Sequence, residues 1–112
     1  MTASAANTAN AANAANATAT YKGRPIDVVI DVRSKLEFWL GHLGGAVCVP
    51  VDVIGERVVH DGTLKKDARI LVYCASGARS AAAAGELRRL GYRNIIDGGG
   101  MSAASQDFKP CK

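Results

Sequence analysis

The chain has 112 residues, 48% of them apolar but only six aromatic, and its 14 Lys and Arg against 10 Asp and Glu give a formal charge of +4. That length holds one small domain and no second catalytic unit, with a core built from Val, Ile, Leu and Ala. Three cysteines, Cys48, Cys74 and Cys111, cannot all pair within one molecule and lack the Cys-x-x-Cys or Cys/His spacing of a zinc site, which argues against a disulfide scaffold or a metal centre.

Residues 1–20 are almost wholly Ala, Asn and Thr, with Asn7, Asn10, Asn13 and Asn16 at a three-residue step. Alanine favours helix and the repeated Asn opposes it, so the sequence predicts a low-complexity, disordered tail over 1–20, with transient helical turns, and a folded domain over 21–112. A tail of small polar residues also suits a mature exported protein, which favours a periplasmic over a cytoplasmic location, the signal peptide being absent from this sequence.

Residues 26–32 form a nearly unbroken β-branched run and read as a buried parallel strand. Ser34 then caps a helix over 34–40, with Leu36, Phe38, Trp39 and Leu40 as its apolar side, ended by Gly41 and Gly44-Gly45. A short strand over 46–49 stops at Pro50; Cys48, inside it, reads as a small core residue. A helix near 53–59 and a polar turn at His60-Asp61-Gly62-Thr63 follow. Residues 69–74 form the next strand, which delivers Cys74 to its carboxyl end. A helix over 79–90 sets Leu87 and Leu90 on one side and Arg88 and Arg89 on the other, with Gly91 as its C-terminal cap. Residues 94–97 make a further strand, and Gly98-Gly99-Gly100 leads into a short C-terminal segment. Alternating strands and helices predict an α/β fold: a central, mainly parallel sheet covered on both faces, with functional residues at the carboxyl ends of its strands.

The loop Cys74-Ala75-Ser76-Gly77-Ala78-Arg79 carries the chemistry. A cysteine between a strand and a helix N-terminus meets converging backbone N–H groups and the positive end of the helix dipole, which favour its thiolate. Gly77 permits the tight turn that aims N–H groups into the loop, and Arg79 adds a fixed positive charge for an oxyanion. Read from the residues alone, a buried structural cysteine at a strand end is an equal alternative.

The run from Val72 to Ser80 closely resembles the active loop of rhodanese domains, and further segments fall in that family's order: Ile30-Asp31-Val32-Arg33; Glu37 through Gly41-His42-Leu43 to Gly45-Ala46 and Val49-Pro50; Leu90-Gly91-Tyr92; and Asp97-Gly98-Gly99. The resemblance implies a rhodanese-like fold and a thiosulfate sulfurtransferase, in which Cys74 is the nucleophile and carries a persulfide between thiosulfate and cyanide or a thiol, by covalent catalysis. It assigns substrate binding to Ala75, Ser76, Gly77, Ala78, Arg79 and Ser80, with the N–H groups cradling the persulfide and Arg79 holding the donor's sulfonate end, and it implies no cofactor and no metal. The shortened start resembles the minimal periplasmic rhodanese of the phage-shock type. Ala104 stands where the closing signature often has Trp, which predicts thinner C-terminal cover of the core.

The implied partners are a small-molecule sulfur donor and a thiophilic acceptor. No nucleic acid is expected, because Lys22, Arg24, Lys65, Lys66, Arg69, Arg88, Arg89 and Arg93 are scattered and no aromatics interleave them. No membrane is expected, because no run approaches the roughly 18 apolar residues of a span. A monomer is expected, with an oxidative dimer through Cys111 as an alternative. Asp31, Arg33 and Glu37 read as an ion-pair and capping network, and His42 as a turn residue. Two rivals are weighed against sulfur transfer. A phosphatase or arsenate reductase needs the longer Cys-x5-Arg cradle for a tetrahedral oxyanion, whereas Cys74 to Arg79 is Cys-x4-Arg. A non-enzymatic binding module of the same fold usually lacks the loop cysteine.

Overall fold

A computed structural model describes residues 17–111. Two sheets organise the chain. The larger is four-stranded and wholly parallel, in the order β4-β3-β5-β6, built from β3 (Val28–Asp31), β4 (Val47–Cys48), β5 (Arg69–Cys74) and β6 (Asn94–Gly100). The smaller is antiparallel, in the order β2-β1-β7, from β1 (Ala19–Tyr21), β2 (Arg24–Ile26) and β7 (Phe108–Pro110). The helices are α1 (Lys35–Leu40), α2 (Ile54–Asp61), α3 (Ala78–Arg89) and α4 (Met101–Asp107), and a 3-10 turn (Val51–Val53) leads into α2. This is the α/β architecture that the alternating pattern predicts.

β5 lies between β3 and β6, and its run Ile70 to Cys74 is fully buried, which is why it reads as continuous apolar sequence rather than as alternation. Its side chains divide between two cores. Ile70, Val72 and Cys74 face Ile54, Val58, Ala83, Ala84 and Leu87 of α2 and α3, whereas Leu71 and Tyr73 face Ala19, Ile26, Ala104 and Phe108. α3 ends as its sequence foretells. The Gly91 N–H donates to the Arg88 carbonyl at 3.0 Å and the Tyr92 N–H to that of Leu87 at 3.1 Å. That double closure requires the left-handed backbone that Gly91 adopts, at φ 98°.

Four expectations need correction. The tail predicted over 1–20 ends too late: residues 1–16 lie outside the described residues, but Ala19 and Thr20 belong to β1, the central strand of the small sheet, and Ala19 is wholly buried. A strand held by backbone bonds needs no large side chains, and small residues let β1 pack between β2 and β7. Lys22 and Gly23, at φ 51° and 78°, form the two-residue turn joining β1 to β2. Second, the strand predicted over 26–32 is two strands in different sheets, parted at Asp27, whose carboxylate accepts from the Arg69 N–H at 2.8 Å and from its guanidinium. Third, α1 has no apolar core side. Leu36, Trp39 and Leu40 are 66%, 79% and 72% exposed, and only Phe38 packs partly inward. Fourth, Cys48 is half-buried on a two-residue edge strand rather than in the core, its Sγ 3.6 Å from the Arg33 carbonyl. At the C-terminus, α4 and β7 cover the core, and Ala104 is fully buried there.

Candidate active site

β5 ends at Cys74 and α3 begins at Ala78, so three residues turn the chain from strand to helix. Gly77 makes that turn at φ 110°, ψ −21°, a backbone that L side chains rarely adopt. The reversal points the Gly77 N–H back at the Cys74 sulfur, 2.9 Å away. The Ser80 hydroxyl donates to the Gly77 carbonyl at 3.0 Å and ties the turn to the first turn of α3.

Burial pushes the Cys74 thiol up. The N–H groups of Ser80, Gly77 and Ser76 outweigh it and hold the thiol below its ordinary value. Cys74 is fully buried, whereas Ala75, Ser76 and Ala78 around it are exposed, so the sulfur sits under a thin rim of small residues. The loop is a cradle for one anionic sulfur, made almost entirely of backbone donors.

β6 supports the cradle from beneath. A bulge between Val72 and Cys74 sets Cys74 opposite Gly100 instead of Gly99. A Cβ on Gly100 would stand 2.7 Å from the Ala75 carbonyl oxygen, and one on Gly77 would stand 3.8 Å from the Gly99 Cα. Only bare backbone fits between strand and loop at Gly100. The sequence marks these glycines as a signature, but not as the floor of the thiol loop.

Arg79 lies differently from its expected role. Its guanidinium donates to both carboxylate oxygens of Glu37, at 2.7 and 3.0 Å, across 42 residues of sequence. Glu37 also closes a capping box on α1, accepting from the Ser34 N–H at 3.0 Å while its own N–H donates to the Ser34 hydroxyl at 3.2 Å. The bonds from Arg79 and Ser34 hold the Glu37 carboxyl down to about 2. Arg79 therefore fastens the start of α3 to α1.

Asp31 and Arg33 form the expected ion pair, while Glu37 supplies the cap of α1 and pairs with Arg79 instead of joining them. The Arg33 guanidinium donates to the Asp31 carboxylate at 2.7 Å and to the Gly41 carbonyl at 2.6 Å, with both side chains buried. Tyr73 lies under the Arg33 guanidinium, 5.9 Å from ring centre to charge, and its hydroxyl accepts from the Leu43 N–H at 3.0 Å. His42 stacks on Phe38 with ring centres 3.7 Å apart and is a turn residue. Cys111 is exposed beyond β7. Among the described residues, no group of three or more His, Cys, Asp or Glu could hold a metal ion, and no helix is long and apolar enough to cross a membrane.

Comparison with known proteins bears on the fold and the family. The chain is similar to a rhodanese with anions from E. coli, at 26% identity and a TM-score of 0.65 over 74% of this chain and 96% of that one. It is similar to a rhodanese-related protein from Thermoplasma volcanium, at 34% identity and a TM-score of 0.60 over 70% and 76%. Among curated sequences it is similar to the tRNA uridine(34) hydroxylases of Erwinia tasmaniensis and Bacillus pumilus, 32% and 34% identical over 80 residues. Those matches take in 67% of this chain and 23% and 25% of the two relatives, so the chain spans about a quarter of their length. The model of the rhodanese-like domain matches residues 8–106, and with the strand, loop and helix around Cys74 in place, the chain belongs to the rhodanese-like domain family.

Proposed function

We propose that the protein is a sulfurtransferase that carries sulfane sulfur as a persulfide on Cys74. Family membership supports sulfur transfer as the class of chemistry; thiosulfate as donor and cyanide or a thiol as acceptor are our reading. The observation that carries it is the Gly77 N–H donating to the Cys74 sulfur at 2.9 Å in a turn that opens α3.

The steps follow from that cradle. The Cys74 thiolate attacks the sulfane sulfur of thiosulfate, a new S–S bond forms, the donor's own S–S bond breaks, and sulfite leaves with the electron pair. The terminal persulfide sulfur is then an anion among the N–H groups of residues 75–80. Cyanide attacks that sulfur, forms thiocyanate and returns the electron pair to Cys74 as thiolate. Each half-reaction balances without an external oxidant or reductant and gives ping-pong kinetics. The tRNA chemistry named for the hydroxylases belongs to chains of which this one spans about a quarter, whereas a cradle sized for one sulfur favours sulfur transfer.

Incubation with thiosulfate is expected to add one sulfur atom to the peptide containing Cys74, and cyanide to remove it as thiocyanate. Cys74→Ser abolishes both. Thiocyanate formation that survives in Cys74→Ser, or hydrolysis of an aryl phosphate by a wild type that forms no persulfide, would overturn the reading.

A further inference from the structure

Three of the basic residues that lie scattered along the sequence meet in the fold. A cleft of about 540 Å³ is lined by Arg24, Arg69 and Arg93 around an apolar wall of Pro25, Ile95 and Ile96, and no carboxylate lines it. It opens where the small sheet meets the large one: Arg24 and Pro25 belong to β2, Arg69 is the first residue of β5, and Ile95 and Ile96 belong to β6, with Arg93 just before that strand. β2 and β6 are each the edge strand of their sheet, so no further strand closes the cleft. Cys74 stands at the opposite end of β5, about 16 Å away along a six-residue strand. The cleft is therefore separate from the thiol loop, and nothing in it depends on the chemistry of Cys74.

The three guanidiniums are not equivalent. Arg69 is locked in place: its Nε and Nη2 donate to the Asp27 carboxylate at 3.0 and 2.8 Å, and its side chain is only 23% exposed. That engages one edge of the planar fork and leaves Nη1, which makes no hydrogen bond among the described residues. Arg24 and Arg93 take part in none of the ion pairs among the described residues, and both are exposed. Asp27 thus cancels one of three charges, and two guanidiniums line the cleft without a counter-charge. Like charges gathered this way repel unless an anion joins them, and their forks match the paired oxygens of a phosphate. We propose that this cleft binds a small organic phosphomonoester, with Arg24, Arg93 and the Nη1 of Arg69 on the phosphate and its apolar or aromatic body against Pro25, Ile95 and Ile96. A dianionic monoester answers two uncompensated cations better than a monoanionic diester does. The volume falls within the roughly 300–1,000 Å³ of small-molecule sites and exceeds what a bare phosphate fills.

The probe is phenylphosphonate, which keeps a phosphate-like head and an aromatic ring but has no ester bond to hydrolyse. Titrated into the 15N-labelled protein at low ionic strength, it is expected to shift the amides of Arg24 and of residues 93–96 to saturation while leaving those of 75–80 in place. It should bind about tenfold more tightly than inorganic phosphate, because the ring is partly buried on the apolar wall. Arg24→Ala and Arg93→Ala, both exposed positions whose loss leaves the core intact, should each weaken binding about tenfold, and the pair together should abolish saturation. Arg69→Lys keeps a positive charge on Asp27 but removes the fork, and should weaken binding about threefold. Cys74→Ser and Arg57→Ala, which removes an exposed cation on α2, should bind as wild type does. Full affinity in the Arg24→Ala/Arg93→Ala protein, or shifts confined to the thiol loop, would overturn the proposal. Inorganic phosphate binding as tightly as phenylphosphonate would overturn the assignment of an organic ligand. A single-stranded oligonucleotide without a terminal phosphate that displaced phenylphosphonate at lower concentration than inorganic phosphate does would overturn the monoester in favour of a nucleic-acid backbone.

Discussion

Gly100→Ala probes the floor of the thiol loop directly. The Gly100 backbone, at φ −73° and ψ 152°, suits any residue, so the substitution strains no dihedral of its own. Its effect is purely steric. The new Cβ would stand 2.7 Å from the Ala75 carbonyl oxygen and 3.4 Å from the Ser76 Cα, and since Cβ atoms do not approach closer than 3.0 Å, the loop must lift by at least ~0.3 Å. Both atoms are backbone and cannot rotate away. The shift enters the chain two residues before Gly77, whose N–H makes the 2.9 Å bond to the Cys74 sulfur. Weakening one bond to a charged sulfur, worth about 1.5 kcal/mol, lowers the thiolate population and the alkylation rate by up to about tenfold at pH below the folded pKa of the thiol. Overpacking is expected to lower stability by about 1–3 kcal/mol as well.

Gly99→Ala is the control. Its Cβ meets nothing within 4 Å, but φ is +76°, so it should reduce stability by about 1–2 kcal/mol while leaving Cys74 reactivity close to wild type. Iodoacetamide kinetics in a Cys111→Ser background, beside urea denaturation, separates the two effects. If Gly100→Ala kept the wild-type alkylation rate, or Gly99→Ala lost as much reactivity, the close approach of β6 to the loop would not be what shapes the thiolate.

Further expectations concern the surrounding structure. Asp31→Asn leaves the buried Arg33 guanidinium with the Gly41 carbonyl as its main partner and should reduce stability by about 3–5 kcal/mol in urea denaturation, a large share of a small domain's total. Because the Cys74 thiol sits below its ordinary 9.0, the unfolded chain binds more protons between the two pKa values. Its stabilising contribution is complete above pH 9 and is lost as pH falls through the folded value, so the advantage of wild type over Cys74→Ser should shrink from pH 9 to pH 6. Cys48, pushed up by burial, should be alkylated more slowly than Cys74 at pH 7.5, as peptide mapping of the Cys111→Ser protein would show. Trp39→Ala removes a side chain that is 79% exposed and should change stability by less than about 0.5 kcal/mol, whereas a helix that buried this face would lose several.

Features written in adjacent residues are legible without the folded molecule. The apolar run of β5, the cap of α3 at Gly91 and the turn at Gly77 follow from patterns a few residues long, because a continuous apolar stretch, a left-handed cap and a tight turn are written in neighbouring residues, although the elements that bury β5 come from elsewhere in the chain. The thiol loop was legible for the same reason: Cys74, Gly77 and Ser80 lie within seven residues, and the donors that hold the sulfur are backbone groups every sequence possesses. Features that depend on distant partners emerge only in the folded chain. Arg79 and Glu37 are 42 residues apart, so nothing in local spacing showed that the arginine is already engaged. The same distance separates Asp27 from Arg69, whose pairing parts one β-branched run into two strands in different sheets. β1 has no hydrophobic signature because its place comes from backbone bonds to β2 and β7, which meet only when the two ends of the domain come together. The apolar face of α1 points to solvent because a capping box and the Glu37 pair hold that helix, and a periodic pattern records which residues are apolar without recording what they meet.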